Sequence, residues 1–438
     1  MPDFAKALKQ LRDLDRQPYL TGLSGPSPVA RLSIATQLQF LRAERSRTYV
    51  PVDQPVPARD LLPPGLDQTT PFGRHYVVRQ SYDENYYHGK IRLCRFSTDE
   101  LQGLMSLTKQ RLGVCERDRI VFLDTETTGV QSGTGICPFL VGVGHFSGDS
   151  FQMIQYFIRD FDEEPSMLYA LGDLLKQFDL IITYNGATFD VPLLETRFTL
   201  ARLDSPFQRM RHFDLLHPAR RLWRQGHGSC RLSALERLLS FMRGPDVPGA
   251  MIPRVYFDYV QRRSVPELPG VFTHNVYDVI SLAALTLHAC DCVHAEPAEL
   301  DEPLDLYSLA RILENSPDWR RAVKLYEMAI KGGLPEPIRI KALEQLSTIY
   351  RRAGEHARSY EICRDLMQAE LFSFTAYEGA AIYYERVVGN METALHIIQQ
   401  GLSRLGEAPH CKRWSSLLRS RWERLQQKVI GFPSLETS

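Results

Sequence analysis

The most informative pattern in the chain is a short apolar run that ends in two carboxylates. Residues 120–123 are Ile, Val, Phe and Leu, and they lead into Asp124 and Glu126. Such a run predicts a buried strand, and residues i and i+2 of a strand face the same side. We therefore expect the two carboxylates to stand side by side, where they repel each other and lose hydration. A divalent cation such as Mg²⁺, which prefers carboxylate oxygens, would compensate; an acidic surface turn is the alternative.

From residue 119 onwards, strand and helix patterns alternate. Five segments have the composition and length of strands: residues 119–124, 139–146, 150–157, 180–184 and 212–215. Ser147-Gly148-Asp149 predicts a hairpin turn between the second and third of them. Apolar residues between 167 and 178 fall on one helical face, and residues 191–200 predict a second helix. The pattern predicts an α/β fold, a mixed sheet with helices on both faces.

A third carboxylate follows the strand predicted at residues 180–184. Asn185-Gly186 is a turn signal, so the chain leaves the sheet there and a helix begins near Asp190. If the strands are parallel, Asp190 lies at the sheet edge that carries Asp124 and Glu126. Open α/β sheets bind ligands along that edge. The alternative is that an aspartate merely favours a helix N-terminus.

A fourth carboxylate belongs to a late helix. Four positions describe a face that can pack on the sheet: Val279, Leu282, Ala283 and Thr286. If that helix begins at Thr273, His274 and Asp278 are four residues apart and lie one above the other. The alternative is a capping pair, with Asn275 as the N-cap and Asp278 at the third helical position.

These motifs carry a resemblance to a known superfamily. Three of them resemble the exonuclease motifs of the DEDD superfamily of RNase H-like nucleases: Asp124-Thr125-Glu126, Asn185 with Phe189-Asp190, and the late Asp278. Within that superfamily, residues 213–223 and 229–236, with His274-Asn275 before Asp278, resemble the YprB-like RNase H-like family. The resemblance covers roughly residues 75–290.

The resemblance implies an RNase H-like fold and a metal-dependent 3′–5′ exonuclease, or a closely related nuclease. Two divalent cations, Mg²⁺ or Mn²⁺, would activate a water molecule and stabilise the leaving 3′-oxygen. Four carboxylates are the implied metal ligands: Asp124, Glu126, Asp190 and Asp278. The general base of the superfamily is a tyrosine four residues before the last aspartate or a histidine five before it. Here His274 has the tyrosine spacing and position 273 is threonine, which makes His274 the candidate base.

Two stretches are candidates for binding the substrate. Thr127, Thr128 and Gly129 offer small groups and backbone N–H donors to a terminal nucleotide, together with Asn185 of the second motif; a simple turn is the alternative. Residues 209–243 hold eight arginines and two acidic residues, a local excess of six positive charges. Arginine suits phosphates and stacks on bases. The strongest candidates there are Arg220, Arg221 and Arg224, and a solvated helix face is the alternative.

Length and composition limit the possible number of domains, the kind of ligand contact and the location of the protein. A chain of 438 residues predicts two or three domains. The formal net charge is zero, so contact with DNA or RNA requires a local basic patch. We find no run of about 18 apolar residues and expect no membrane span. The eight cysteines have no zinc-site spacing, which favours reduced thiols and a cytoplasmic location.

Three domains are predicted. Residues 1–75 combine a short amphipathic helix with an extended segment, because residues 51–71 hold six prolines. Residues 76–292 form the exonuclease domain, beginning with paired strands at 76–82 and 89–93 that are joined by a turn at His88-Gly89. Residues 304–428 form helical repeats.

The predicted repeats resemble degenerate tetratricopeptide repeats. Asp318, Glu355 and Asn390 each lie four residues before a small residue, at spacings of 37 and 35; the tetratricopeptide period is 34. The repeats are expected to dock a protein partner or to pack on the rest of the chain. If they only dock a partner, a chain ending near Leu304 should stay folded. The opposing function is a catalytically silent nucleic-acid-binding or scaffold protein.

Overall fold

A mixed sheet of seven strands forms the first part of the protein. The computed structural model describes residues 62–96, 115–129, 135–263, 265–300, 302–405 and 412–431. The predicted N-terminal amphipathic helix lies outside the described residues. The strands of the described residues are β1 (Leu66–Thr70), β2 (Gly73–Tyr82), β3 (Tyr87–His88), β4 (Ile91–Arg92), β5 (Ile120–Thr127), β6 (Pro138–Ser147), β7 (Ser150–Phe157), β8 (Leu180–Thr183) and β9 (Arg211–Asp214).

The order of strands in the sheet is β1-β2-β7-β6-β5-β8-β9. Strands β5, β8 and β9 are parallel to one another, whereas β1, β2, β7, β6 and β5 pair antiparallel. The parallel strands therefore end at one edge, and β5 stands at the junction between the two pairing modes. This junction is where the predicted first carboxylates lie.

Six α-helices lie between residues 164 and 294 in the described part of the chain. They are α1 (Glu164–Leu175), α2 (Asp190–Leu200), α3 (Leu216–His227), α4 (Leu232–Leu235), α5 (Ile252–Arg262) and α6 (Leu268–His294). Leu123 and Val143 share a core cluster with Leu171 of α1. On the opposite face, a Cβ at Gly144 would lie 2.7 Å from Val279 of α6. Helices therefore cover both faces, and the predicted mixed α/β architecture is confirmed.

Two predicted details of the sheet are wrong. Strand β2 does not pair with the segment at 89–93; it pairs with β1 and β7. His88 belongs to the short strand β3, which pairs with β4, and the turn between them is Gly89-Lys90. Gly89 has φ +60, and a Cβ there would lie 2.0 Å from the carbonyl oxygen of Leu239. An alternating pattern predicts a strand but does not choose its partner, which depends on the side chains that each face can bury.

The late helix α6 begins at Leu268, earlier than the predicted start at Thr273. Among the described residues it is the one helix long and apolar enough to cross a membrane, by length and composition only. Most of its apolar window, 78%, is buried inside the protein, and a core helix passes the same test. The absence of a membrane span stays a prediction.

The remaining described helices form an all-α region. They are α7 (Pro303–Leu313), α8 (Trp319–Lys331), α9 (Glu336–Arg352), α10 (His356–Gln368), α11 (Phe374–Tyr383), α12 (Met391–Leu405) and α13 (Lys412–Gly431). The small residues Ala322, Ser359 and Ala394 are buried, as the repeat pattern requires. Gly354 and Gly389 occupy left-handed turns between helices, with φ +83 and +78. The region is helical as predicted, and its assignment as tetratricopeptide repeats stays a prediction.

The chain divides into two units at different places from the predicted boundaries. The first comprises the described residues up to Pro218 and Ser229–Cys290; the second comprises Ala219–Gly228 and the described residues from Asp291 onwards. The sheet itself begins at Leu66, before the predicted boundary at residue 76. Most of α3 thus packs with the all-α region, and a Cβ at Gly226 would lie 3.3 Å from Asp305 Oδ1.

This packing predicts the effect of removing the helical region. A chain ending at Leu304 would expose Leu222 and Trp223, which are 3% and 1% exposed in the full chain. Burying one such side chain contributes about 1.5–3 kcal/mol, so the truncated chain should be less stable and less soluble. Trp223 is its one remaining tryptophan among the four of the full sequence. Its fluorescence should be red-shifted relative to a full-length protein in which Trp319, Trp414 and Trp422 are phenylalanine. Unchanged emission would contradict this packing role.

Candidate metal centre

The four predicted carboxylates lie in one cluster at the edge where the parallel strands end. Strand β5 pairs with β8 as far as Phe122 and Ile182, and Asp124 and Glu126 follow on β5. Asp190 begins α2, just beyond β8, and Asp278 comes from α6. The charges of Asp278, Glu126 and Asp190 all act on Asp124. The structure therefore brings together side chains that span more than 150 residues of sequence.

Within this cluster, one group has the geometry of a cation site. Each of Glu126, His274 and Asp278 offers a ligand atom, and the three atoms lie within 4.8 Å of one another. In the part of the chain that the structure describes, no hydrogen bond or ion pair reaches the Glu126 carboxylate. Asp124 and Asp190 lie outside this tight group. Asp124 is bound to Asn275, and Asp190 is bound to Thr125. The oxygen-rich group, with a half-buried carboxylate left unpaired, fits a divalent cation.

Asp124 is oriented by a buried amide chain. Asn275 Nδ2 donates to Asp124 Oδ2 at 3.0 Å, and Asn275 Oδ1 accepts from Gln155 Nε2 at 3.0 Å. Gln155 also donates to the carbonyl oxygen of Phe272 at 2.9 Å. The approach of Asn275 requires glycine at position 142, where a Cβ would lie 2.2 Å from its Oδ1. The alternative assignment of Asn275 as an N-cap is wrong, because α6 begins at Leu268 and Asn275 lies in its interior.

Asp190 and Asn185 are held by neighbouring polar groups. Thr125 Oγ1 donates to Asp190 Oδ1. Asn185 has φ +66, and its N–H donates to Asp214 Oδ1 at 2.8 Å. Asp214 also accepts from the N–H groups of Ala187 and Leu216 at 3.1 and 3.0 Å. Asp214 thus fixes the turn before Asp190, a role that sequence reasoning missed although Asp214 also ends a strand before a helix.

The predicted substrate residues after β5 make local bonds. Thr127 Oγ1 donates to the carbonyl oxygen of Gly129 at 2.6 Å. Thr128 Oγ1 accepts from the N–H of Cys137 at 3.0 Å, and Thr128 is 3% exposed. These bonds explain the turn, and contact with a nucleotide stays a prediction. On α3, Arg220, Arg221 and Arg224 are exposed.

Arg243, counted in the sequence as part of the basic stretch, belongs to the carboxylate cluster instead. Its guanidinium donates to Glu236 at 2.6 and 2.8 Å, to Asp246 Oδ2 at 3.0 Å, and to Asp278 Oδ1. The Arg243 side chain is 10% exposed and that of Glu236 only 3%. Ser281 Oγ also donates to Glu236, and it accepts from His88 Nε2 at 2.8 Å. Sequence reasoning assigned no role to Glu236 or Asp246.

The cluster raises the pKa values of its own carboxylates. Burial raises the pKa of Asp124 and Glu126 well above the usual range, and the surrounding carboxylates raise it further. Burial raises the pKa of Asp190 to about 6, opposed by its bond from Thr125. Burial also raises the pKa of Asp278, whereas Arg243 and His274 lower it. A bound divalent cation would relieve this cost.

The raised pKa of Asp190 predicts how stability changes with pH in the metal-free protein. A folded-state pKa above the unfolded value means that the folded protein holds the proton more tightly. The contribution of Asp190 is therefore most favourable below about pH 4 and declines as pH rises through about 6. Asp190→Asn has no carboxyl group to titrate and so avoids this decline. The Tm of the variant, measured in EDTA, should therefore rise relative to that of the wild type as the pH is raised from 4 to 6. The exposed Asp173→Asn is the control, and a pH-independent difference would contradict the prediction.

The contacts of Arg243 predict a large loss of stability when they are removed. Arg243→Met leaves the buried Glu236 carboxylate without its cation, which costs about 3–5 kcal/mol when one partner of a buried pair is lost. Adding Glu236→Gln should recover part of that loss, as measured by urea unfolding in EDTA. Arg339→Met, which breaks the surface pair with Glu336, is the matched control and should have little effect. If both variants lost the same free energy of unfolding, the buried Arg243–Glu236 pair would stabilise the protein no more than the surface pair does.

Comparison with known proteins agrees with this geometry. Residues 121–290 match a family model described as RNase_H superfamily. The chain is 29% identical over 293 residues to the uncharacterized protein YprB of Bacillus subtilis (strain 168), covering 66% of this chain and 70% of that protein. The matched region contains the whole carboxylate cluster. Residues 121–290 therefore have an RNase H-like fold.

Proposed function

We propose that the protein is a metal-dependent nuclease of the YprB-like family, a DEDD-type 3′–5′ exonuclease that hydrolyses phosphodiester bonds of DNA or RNA. The observation that carries the proposal is the convergence of Asp124, Glu126, Asp190 and Asp278 at one sheet edge, with Glu126 left unpaired within the described residues. Clustered carboxylates raise one another's pKa, which costs free energy of folding. A bound cation would offset that cost.

Each side chain of the cluster has a proposed part. Asp124, Glu126, Asp190 and Asp278 would hold two divalent cations, Mg²⁺ or Mn²⁺. Such cations activate the attacking water and stabilise the leaving oxygen of a phosphodiester. Asn275 orients the Asp124 carboxylate through its 3.0 Å bond. Arg243 places a positive charge beside Asp278 and limits the repulsion within the cluster.

The substrate side of the proposal rests on charge and exposure. Arg220, Arg221 and Arg224 are exposed on α3, as residues that contact a phosphate backbone must be. Thr127, Thr128, Gly129 and Asn185 stay proposed contacts near the terminal nucleotide. An RNase H-like fold favours a nucleic acid, DNA or RNA, as the ligand.

Location and partners are further proposals. The eight cysteines have no zinc-site spacing, which supports reduced thiols and a cytoplasmic location as a proposal. The α-helical region offers tetratricopeptide-like repeats, supported by the buried Tyr326, Cys363 and Ile398 four residues after the small positions. A protein partner would bind there. The alternative function, a silent RNase H-like scaffold, would work through these repeats without cleavage.

The test of the nuclease is direct. Purified protein with Mn²⁺ or Mg²⁺ should shorten single-stranded DNA or RNA labelled at its 5′ end, through products that shrink from the 3′ end, and EDTA should stop it. Asp124→Ala and Glu126→Gln should abolish cleavage, since each removes a carboxylate from the site. Glu336→Gln, an exposed change in the helical region, should leave the rate unchanged.

Two outcomes contradict the proposal. Equal cleavage by the Asp124 and Glu126 variants would assign the activity to another site or to a contaminant. Failure of the folded wild type on DNA and RNA with both cations would favour the silent scaffold.

A further inference from the structure

His274 is held between two carboxylates. Its Nδ1 lies 2.9 and 3.0 Å from the two oxygens of Asp246, and its Nε2 lies 3.5 Å from Asp278 Oδ2. The side chain is 15% exposed. A carboxylate accepts and does not donate when ionised, so the short contact with Asp246 places a hydrogen on Nδ1. Arg243 Nη1 also lies 3.5 Å from this nitrogen, and the assignment of the hydrogen to Nδ1 follows from the shorter contacts with Asp246.

With its hydrogen on Nδ1, a neutral imidazole has its lone pair on Nε2, the nitrogen that faces Asp278. Two acceptors then face each other at 3.5 Å. That separation is longer than the about 2.7–3.2 Å of an N–H···O bond, so Nε2 is not a donor to Asp278. It agrees with the separation of roughly 3–3.5 Å between neighbouring ligand atoms that each lie about 2.1 Å from one ion.

We propose that His274 is a nitrogen ligand, through Nε2, of a divalent cation shared with Glu126 and Asp278, and that Asp246 positions its ring. This inference rests on the proposed function, because it concerns the same site, but it replaces the expected base role of His274. Histidines that bind metals characteristically donate their other ring N–H to a carboxylate. The Asp246–His274 contact has that arrangement, with its oxygens 2.9 and 3.0 Å from Nδ1.

The positioning carboxylate is itself anchored. Asp246 accepts from Arg243 Nη1 at 3.0 Å, and Arg243 is bound to the buried Glu236. The loop that carries Asp246 is therefore tied to the core before any cation arrives. A preorganised imidazole loses little freedom on binding the ion.

The mixed donor set predicts which cation the site prefers. Carboxylates alone suit Mg²⁺, whereas an imidazole nitrogen suits transition-metal cations. Two carboxylates and one imidazole therefore favour a divalent transition metal, for which Mn²⁺ is a convenient probe. Replacing His274 should cost more affinity for Mn²⁺ than for Mg²⁺.

The experiment measures bound Mn²⁺ in the full-length protein without reference to catalysis. The protein is freed of metal with EDTA, and Mn²⁺ is added and examined by electron spin echo spectroscopy. The wild type should show the nitrogen-14 coupling of an imidazole, and labelling all histidines with nitrogen-15 should replace it. His274→Gln should lose the coupling.

Titration calorimetry with Mn²⁺ then tests the role of Asp246. Asp246→Ala should raise the Kd by about 10–100-fold, the usual effect of removing such a partner. Asp246→Asn should be milder, since its amide oxygen still accepts from Nδ1. Asp305→Asn is the matched control, because it changes an aspartate 3.6 Å from His227 in the helical region. That variant should leave the Mn²⁺ affinity unchanged.

The outcomes separate this inference from the proposed function. Mn²⁺ that binds through Glu126 and Asp278 without any histidine nitrogen coupling overturns the inference and leaves a carboxylate metal centre intact. A folded wild type that binds no Mn²⁺ overturns both. If His274→Gln does not fold, the absence of any nitrogen-15 coupling in the histidine-labelled wild type overturns the inference. A coupling that weakens in Asp246→Ala together with the Mn²⁺ affinity supports it.

Discussion

Repulsion among carboxylates at the end of β5 is the constraint on which the rest of the site depends. Burial and neighbouring negative charges raise the pKa values of Asp124, Glu126, Asp190 and Asp278 together. Such crowding costs free energy of folding unless positive charge or hydrogen bonds oppose it. Arg243 supplies one positive charge at Asp278. A divalent cation would supply the rest, so the metal site and the stability of the domain are linked.

Two buried polar chains hold this arrangement, and both pass through α6. One runs from Gln155 on β7 through Asn275 to Asp124. The other runs from His88 through Ser281 and Glu236 to Arg243. These buried hydrogen bonds favour one packing, because a shift of α6 would break them, although His88 Nδ1 and Gln155 Oε1 are buried without a hydrogen-bond partner. The sheet and α6 are therefore held in the register that places Asp278 opposite β5.

Much of the fold could be predicted because its signals are local. The apolar run before Asp124, the turn signal at Asn185-Gly186 and the glycine-linked hairpin between β6 and β7 each follow from nearby residues. The prediction failed for β2, since an alternating strand carries no information about its partner. It also failed for the start of α6, because residues 268–272 contain no N-cap signal and include Pro269 and Gly270.

The amino-acid sequence by itself determined which carboxylates could form a site, because strand and helix periods place Asp124 beside Glu126 and His274 beside Asp278. Only the tertiary structure decided what surrounds them. Asp246 lies 28 residues from His274 in the chain, and Arg243 lies 35 from Asp278. Contacts over such distances depend on how a loop packs against a helix, and no local pattern encodes that packing. For the same reason, the charge of Arg243 pointed to a nucleic-acid surface until its buried partners were known.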